Sequence, residues 1–311
     1  GGADGGSNVY GSDNTLLGNA AGYAITTGQD NVIAGSSAGT ALTTGKNNVL
    51  IGKNAGSAFT NNNYNIAIGQ SAMDACNGGE TGNVAIGQDA LGSDIAGSDY
   101  CTAVGYSALA SQNANVKNTA IGGLAGDAID GGGNNTLLGY SAGSSFVDAI
   151  DNTAVGHVAL HLATGSYNTA VGCFAGNAAL SGASNVLVGR GAGNSLTDGP
   201  GNVLIGRQAG AAMTTGDYNV AIGYQAADAM VGECNRNIAI GRNALGAEAS
   251  GGDDSVAIGD NALATQDDAS AVNLAIGRNA AAAITDGTQN VLIGHAAGSA
   301  IAGADNCTAL G

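Results

Sequence analysis

The chain has 311 residues, with 55 glycines, one proline, no tryptophan and 10% charged residues, against about 25% charged in ordinary globular domains. Its 44% apolar content argues against disorder, and a lone proline without glycine at every third position excludes collagen. A formal charge of −16 with only eight basic residues repels phosphate backbones, so no nucleic-acid partner is expected, and no apolar run approaches the roughly 20 residues of a membrane helix.

The first predicted element is Asn14-Thr15-Leu16-Leu17-Gly18, a β-prone run closed by glycine. It returns at 31–35, 48–52 and 65–69, and continues to Cys307-Thr308-Ala309-Leu310-Gly311. The closing glycines stand at 18, 35, 52, 69, 87, 105, 122, 139, 156, 172, 189, 206, 223, 241, 259, 277, 294 and 311, always 16 to 18 residues apart. A fixed short period is the signature of a solenoid, in which each turn of chain stacks on its neighbours. Helix is disfavoured because a glycine recurs in every coil at roughly 1 kcal/mol against alanine. The reading is an all-β parallel solenoid of about seventeen 17-residue coils. Each coil is expected to hold two short strands and two turns, and residues 1–311 are expected to form a single continuous repeat domain, a fragment of a longer fibre.

Slots within the repeat carry distinct physics. Four before the closing glycine stands Asn14, Asn31, Asn48, Asn65, Asn83, Asn118, Asn135, Asn152, Asn168, Asn185, Asn202, Asn219, Asn237, Asn273 or Asn290, with Cys101, Ser255 and Cys307 as exceptions. This column is read as a structural ladder whose amides bond the tight turn and one another along the stack; the alternative is a ligand-binding stripe. Three after the glycine stands alanine in all seventeen complete repeats.

Where the residue two before the glycine is large, as at Leu50, the residue four after is glycine, as at Gly56. Where the first is alanine, as at Ala103, the second is usually large, as at Leu109. The two are expected to fill one space. Gly126 and Gly176 break this trade, and Leu124 and Phe174 are expected to make up the volume.

The slot directly after the glycine carries large polar residues: Lys53, Gln70, Tyr106, Tyr140, Arg190, Arg207, Tyr224, Arg242 and Arg278. It reads either as a receptor- or matrix-facing stripe, or as inter-chain salt bridges and solvated edges. No catalytic, metal or cofactor pattern emerges. His157 and His295 lie eight coils apart, and neither H-x-x-x-H nor H-E-x-x-H occurs. The aliphatic hexapeptide rule of left-handed helix acyltransferases fails at Tyr23, Thr40, Ser57, Asp74 and Gly92. Calcium-binding nonapeptides would need series of G-G-x-G-x-D, whereas 130–135 and 250–254 are isolated. The five cysteines, irregularly spaced, read as small fillers or free thiols.

In "NVLIG" the alternation of side chains makes both faces of the strand apolar, and one 17-residue coil can cover only one of them. The sequence therefore asks for neighbouring chains. At this point "NVAIGQDAL" (83–91), "DSVAIGDNALA" (254–264) and "NIAIGRNAL" (237–245) resemble the head repeat of trimeric autotransporter adhesins of the Yersinia-adhesin type, seen also in bacteriophage tail fibres. That resemblance implies a left-handed β-roll, three chains about one axis, at a bacterial surface or on a virion. It implies a non-enzymatic rod that presents a surface to a host-cell or matrix receptor and does not itself insert into membrane. The adhesin repeat is nearer 14 residues, so the extra residues here are expected to enlarge one turn. The alternative is a repetitive extracellular filament or surface-layer component without receptor binding.

Overall fold

A computed structural model describes residues 11–77, 79–93, 99–113, 117–247, 252–267 and 272–311. The described residues form eighteen parallel strands of three residues each, from Thr15–Leu17 to Thr308–Leu310, and no helix. The fold is a parallel β-solenoid of about sixteen turns. Its chain divides into two compact units, Gly1–Asn152 and Thr153–Gly311. Within the first, like pairs with like: Val32 with Val49 and Val49 with Ile66, in parallel register. The second follows the same rule, as Val203 with Val220 and Val220 with Ile238 show.

Among the described residues the expected second strand is replaced by turns, apart from an isolated parallel bridge between Asn63 and Thr81. Its hydrogen bonds are made nonetheless: Gly22 N donates to Ala38 O at 2.9 Å, Ala24 N to Thr40 O at 3.1 Å and Thr26 N to Thr43 O at 2.9 Å. Extended geometry is lost there because residues two and four after the closing glycine turn left-handed, as at Asn54 (φ 60°) and Met73 (φ 52°). For a residue with a Cβ each such position costs about 1–2 kcal/mol. The bonds to the neighbouring coils offset that cost, so these turns are stable only in the stack.

The closing glycine is irreplaceable for a different reason. Gly172 has φ +139°, and a Cβ built on it would lie 2.6 Å from the carbonyl oxygen of Gly189 in the next coil. Stacked backbones pass too close there for any side chain.

From Ile33 to Leu292, the middle residue of each strand is buried at 0–1% exposure, as are the alanines three after the glycine within a few per cent. The volume trade is a shared space: a Cβ on Gly56 would sit 2.9 Å from Leu50 Cδ2. The same Leu50 also reaches over Gly39 in the preceding coil, at 2.9 Å from the corresponding point. This corrects the expectation for Gly126 and Gly176. Leu124 is only half-buried and Phe174 is exposed. The space at Gly126 is filled from the flanking coils by Leu109 and Leu137, and at Gly176 by Leu160 and Leu187. Volume is balanced along the stack as well as within a coil.

Candidate functional site

The asparagine column is a buried ladder. Asn48 donates its backbone N–H (3.0 Å) and its Nδ2 (3.0 Å) to Asn31 Oδ1, and Nδ2 donates again to Asn62 O at 2.7 Å. The same pattern recurs in the second unit, where Asn202 donates to Asn185 Oδ1 and to Gly216 O. Each buried amide is thereby satisfied inside the stack, leaving little with which to hold a ligand. Asn14, in the first described coil, is half-buried and accepts from Asn31.

Two breaks in the ladder reveal residues that the sequence reading missed. At Cys101 the column lacks its amide, and Gln112 enters the core: Nε2 contacts Cys101 Sγ at 2.9 Å, while Oε1 accepts from Asn118 Nδ2 at 3.0 Å. At Ser255, Gln266 does the same, donating to Ser255 Oγ at 3.0 Å and accepting from Asn273 Nδ2 at 2.8 Å. Both glutamines are fully buried in a slot that elsewhere holds Leu42, Phe59, Ile129 or Met213. The signal was present: glutamine replaces the apolar residue in two of the coils whose asparagine is missing.

The slot after the closing glycine faces solvent. Lys53, Tyr106, Tyr140, Arg190, Arg207, Tyr224, Arg242 and Arg278 are all exposed. In the second unit several of them pair along the stack. The Arg207 guanidinium lies 4.5 Å from the Tyr224 ring centroid, Arg242 forks onto Asp260 at 3.0 Å through both Nε and Nη2, and Arg278 meets His295. Arg236, outside this slot, pairs with Asp253 and Asp254. The hydrogen bond from Arg242, and after it the charges of Arg242 and Arg278, hold the Asp260 carboxyl below the usual carboxylate value; the hydrogen bond from Arg236 does the same for Asp254. Asp74 and Asp228 are pushed the other way, chiefly by desolvation.

Cys76, Cys101, Cys173, Cys234 and Cys307 are free thiols, the first, second and fourth of them buried. Among the described residues no cluster of three or more His, Cys, Asp or Glu is placed to hold a metal, though Ser250 and Gly251 of the 250–254 segment lie outside them. No described helix is long and apolar enough to cross a membrane. Comparison with known protein families, curated proteins and solved structures yields no match.

Proposed function

We propose that this chain is a segment of a trimeric fibre, a left-handed β-roll of roughly 17-residue coils that serves as the head or shaft of a surface adhesin or phage tail fibre. It performs no catalysis; it holds a receptor-facing surface at a distance from its anchorage. The observation that carries this reading is the outer face of the strand ladder. Flanking each buried middle residue, the first and third strand residues are only partly covered, with Ile51 at 38%, Ile121 at 40% and Leu138 at 46% exposure in the first unit. In the second unit the third-residue row runs Val155, Val171, Val188, Ile205, Ile222, Ile240, Ile258, Ile276 and Ile293.

Each unit thus leaves one continuous band of partly exposed aliphatic side chains, and contiguous exposed apolar bands mark interfaces where scattered apolar residues do not. The occupant that fits is the same band on further copies. Like rows at one spacing can interdigitate, and closed symmetry leaves no band exposed. A self-interface also suits this chain because the band itself is uncharged, while the −16 charge sits elsewhere and discourages lateral bundling of finished fibres.

The test is a pair of lysines in the band. Ile222→Lys with Ile258→Lys should dissociate the assembly into folded chains or leave it insoluble, whereas Tyr106→Lys with Tyr140→Lys in the polar stripe should leave the assembly intact. Sedimentation velocity reads the difference. An unchanged sedimentation coefficient in the band variant, with the circular dichroism of the parent, would overturn the reading.

A further inference from the structure

Within the second unit, one rung of the surface is missing. Two after the closing glycine, successive coils present Phe174, Gly191 and Gln208. A Cβ on Gly191 would meet nothing nearer than Gln208 Cγ at 3.9 Å, so the gap is open space. It forms a cleft of about 180 Å³ lined by Phe174, Arg190, Gly191, Asn194, Gln208 and Ala211. Pockets for drug-sized ligands run to roughly 300–1,000 Å³, so this cleft suits a single small ring.

Its lining is specific in kind. Phe174 is 38% exposed, and its ring packs in a T-shape with that of His157, with centroids 5.5 Å apart at 82°. Asn194 and Gln208 supply amide donors and acceptors. Arg190 differs from its neighbours in the stripe: Arg207 is engaged with Tyr224 and Arg242 with Asp260, but Arg190 has no ion-pair partner among the described residues. A guanidinium without an intramolecular carboxylate partner among the described residues is poised for an external anion, and its fork matches a carboxylate.

We propose that this cleft binds the carboxylate-bearing pyranose of an acidic glycan. The aromatic ring takes the apolar C–H face of the sugar, the amides take its hydroxyls and Arg190 takes the carboxylate. An aspartate or glutamate side chain would use Arg190 alone, leaving Phe174 and both amides idle, so a sugar uses the lining more fully. This deepens the receptor-presenting reading of the fibre and rests on it only for its biological setting; binding at the cleft is a property of the second unit.

The experiment uses the full chain and methyl glucuronide, with methyl glucoside as the neutral partner and N-acetylglutamate amide as the peptide-like acid. Binding is read by saturation-transfer NMR titration. The glucuronide should bind at least about tenfold tighter than the glucoside, as expected for one charge-assisted hydrogen-bonded pair. Arg190→Gln should erase that preference, and Phe174→Ala should remove transfer to the sugar ring protons. Gly191→Gln should abolish binding by filling the gap. Its backbone suits this change, because Gln208 adopts φ 61° in the same slot, and an unaltered melting temperature checks that the variant is folded. No transfer to the glucuronide, equal binding of acid and neutral sugar, full preference in Arg190→Gln, or equal binding of N-acetylglutamate amide would each overturn the proposal. Light scattering on the same samples reports assembly separately, so a monomer that binds the glucuronide keeps the cleft and loses the trimer.

Discussion

Gln266 shows how tightly single residues are bound to the repeat. Its side chain bridges Ser255 Oγ and Asn273 Nδ2 where the asparagine column is broken. Gln266→Leu would leave two buried polar groups without that partner, and we expect a loss of about 1–3 kcal/mol in denaturant unfolding. Adding Ser255→Asn to Gln266→Leu rebuilds the pattern of the other coils and should restore most of the loss; no recovery would show that the two slots are uncoupled. The carboxylates give a pH signature of two signs. Asp254 and Asp260 have folded values below the ordinary 3.8, so their contribution is present above it and lost as pH falls through the folded value. Asp74 and Asp228 are raised, so they cost stability while ionised, and that cost is relieved as pH falls from neutrality through their raised values. Asp74→Asn should therefore raise the melting temperature at pH 7 and flatten its acid dependence between neutrality and pH 4. A lower melting temperature at pH 7 would count against desolvation as the dominant cause. The asparagine column was legible because its period is fixed. Gln112 and Gln266 were not read because each is one substitution in a variable slot, meaningful only beside the missing asparagine.

At the scale of the element, a three-residue strand has almost no stability of its own, and each coil depends on the volume trade with its neighbours. Leu50→Ala should cost about 2–5 kcal/mol, the usual range for a buried leucine truncation. Gly56→Leu on that background should recover only part of it, for two reasons. Gly56 has φ +57°, a conformation that Leu109 adopts at 51° in the same slot but at some cost. Leu50 also covers Gly39, a space that a leucine at 56 does not reach in the same way. A double-mutant cycle with no coupling would contradict the shared space. The sequence reading found the strands because β-branched residues and a closing glycine recur in register. It anticipated a second strand that the described residues do not form, because hydropathy does not report the left-handed φ values at Asn54 and Met73. It misplaced the fillers of Gly126 and Gly176 because it balanced volume inside one coil, whereas side chains such as Leu137 and Leu187 lean across coils.

For the whole molecule, the decisive feature is what covers the aliphatic band beside the buried strand centres. Period and register are properties of one chain and could be read from the repeat. The number of chains is set by how curved surfaces close on one another, which no slot in the repeat encodes. The direct measurement is multi-angle light scattering on the purified full chain, without an added trimerisation sequence, across a range of concentrations. A trimeric fibre segment should give a particle of three times the 29.7 kDa chain mass that persists on dilution. A well-folded, soluble species at 29.7 kDa would contradict the trimer.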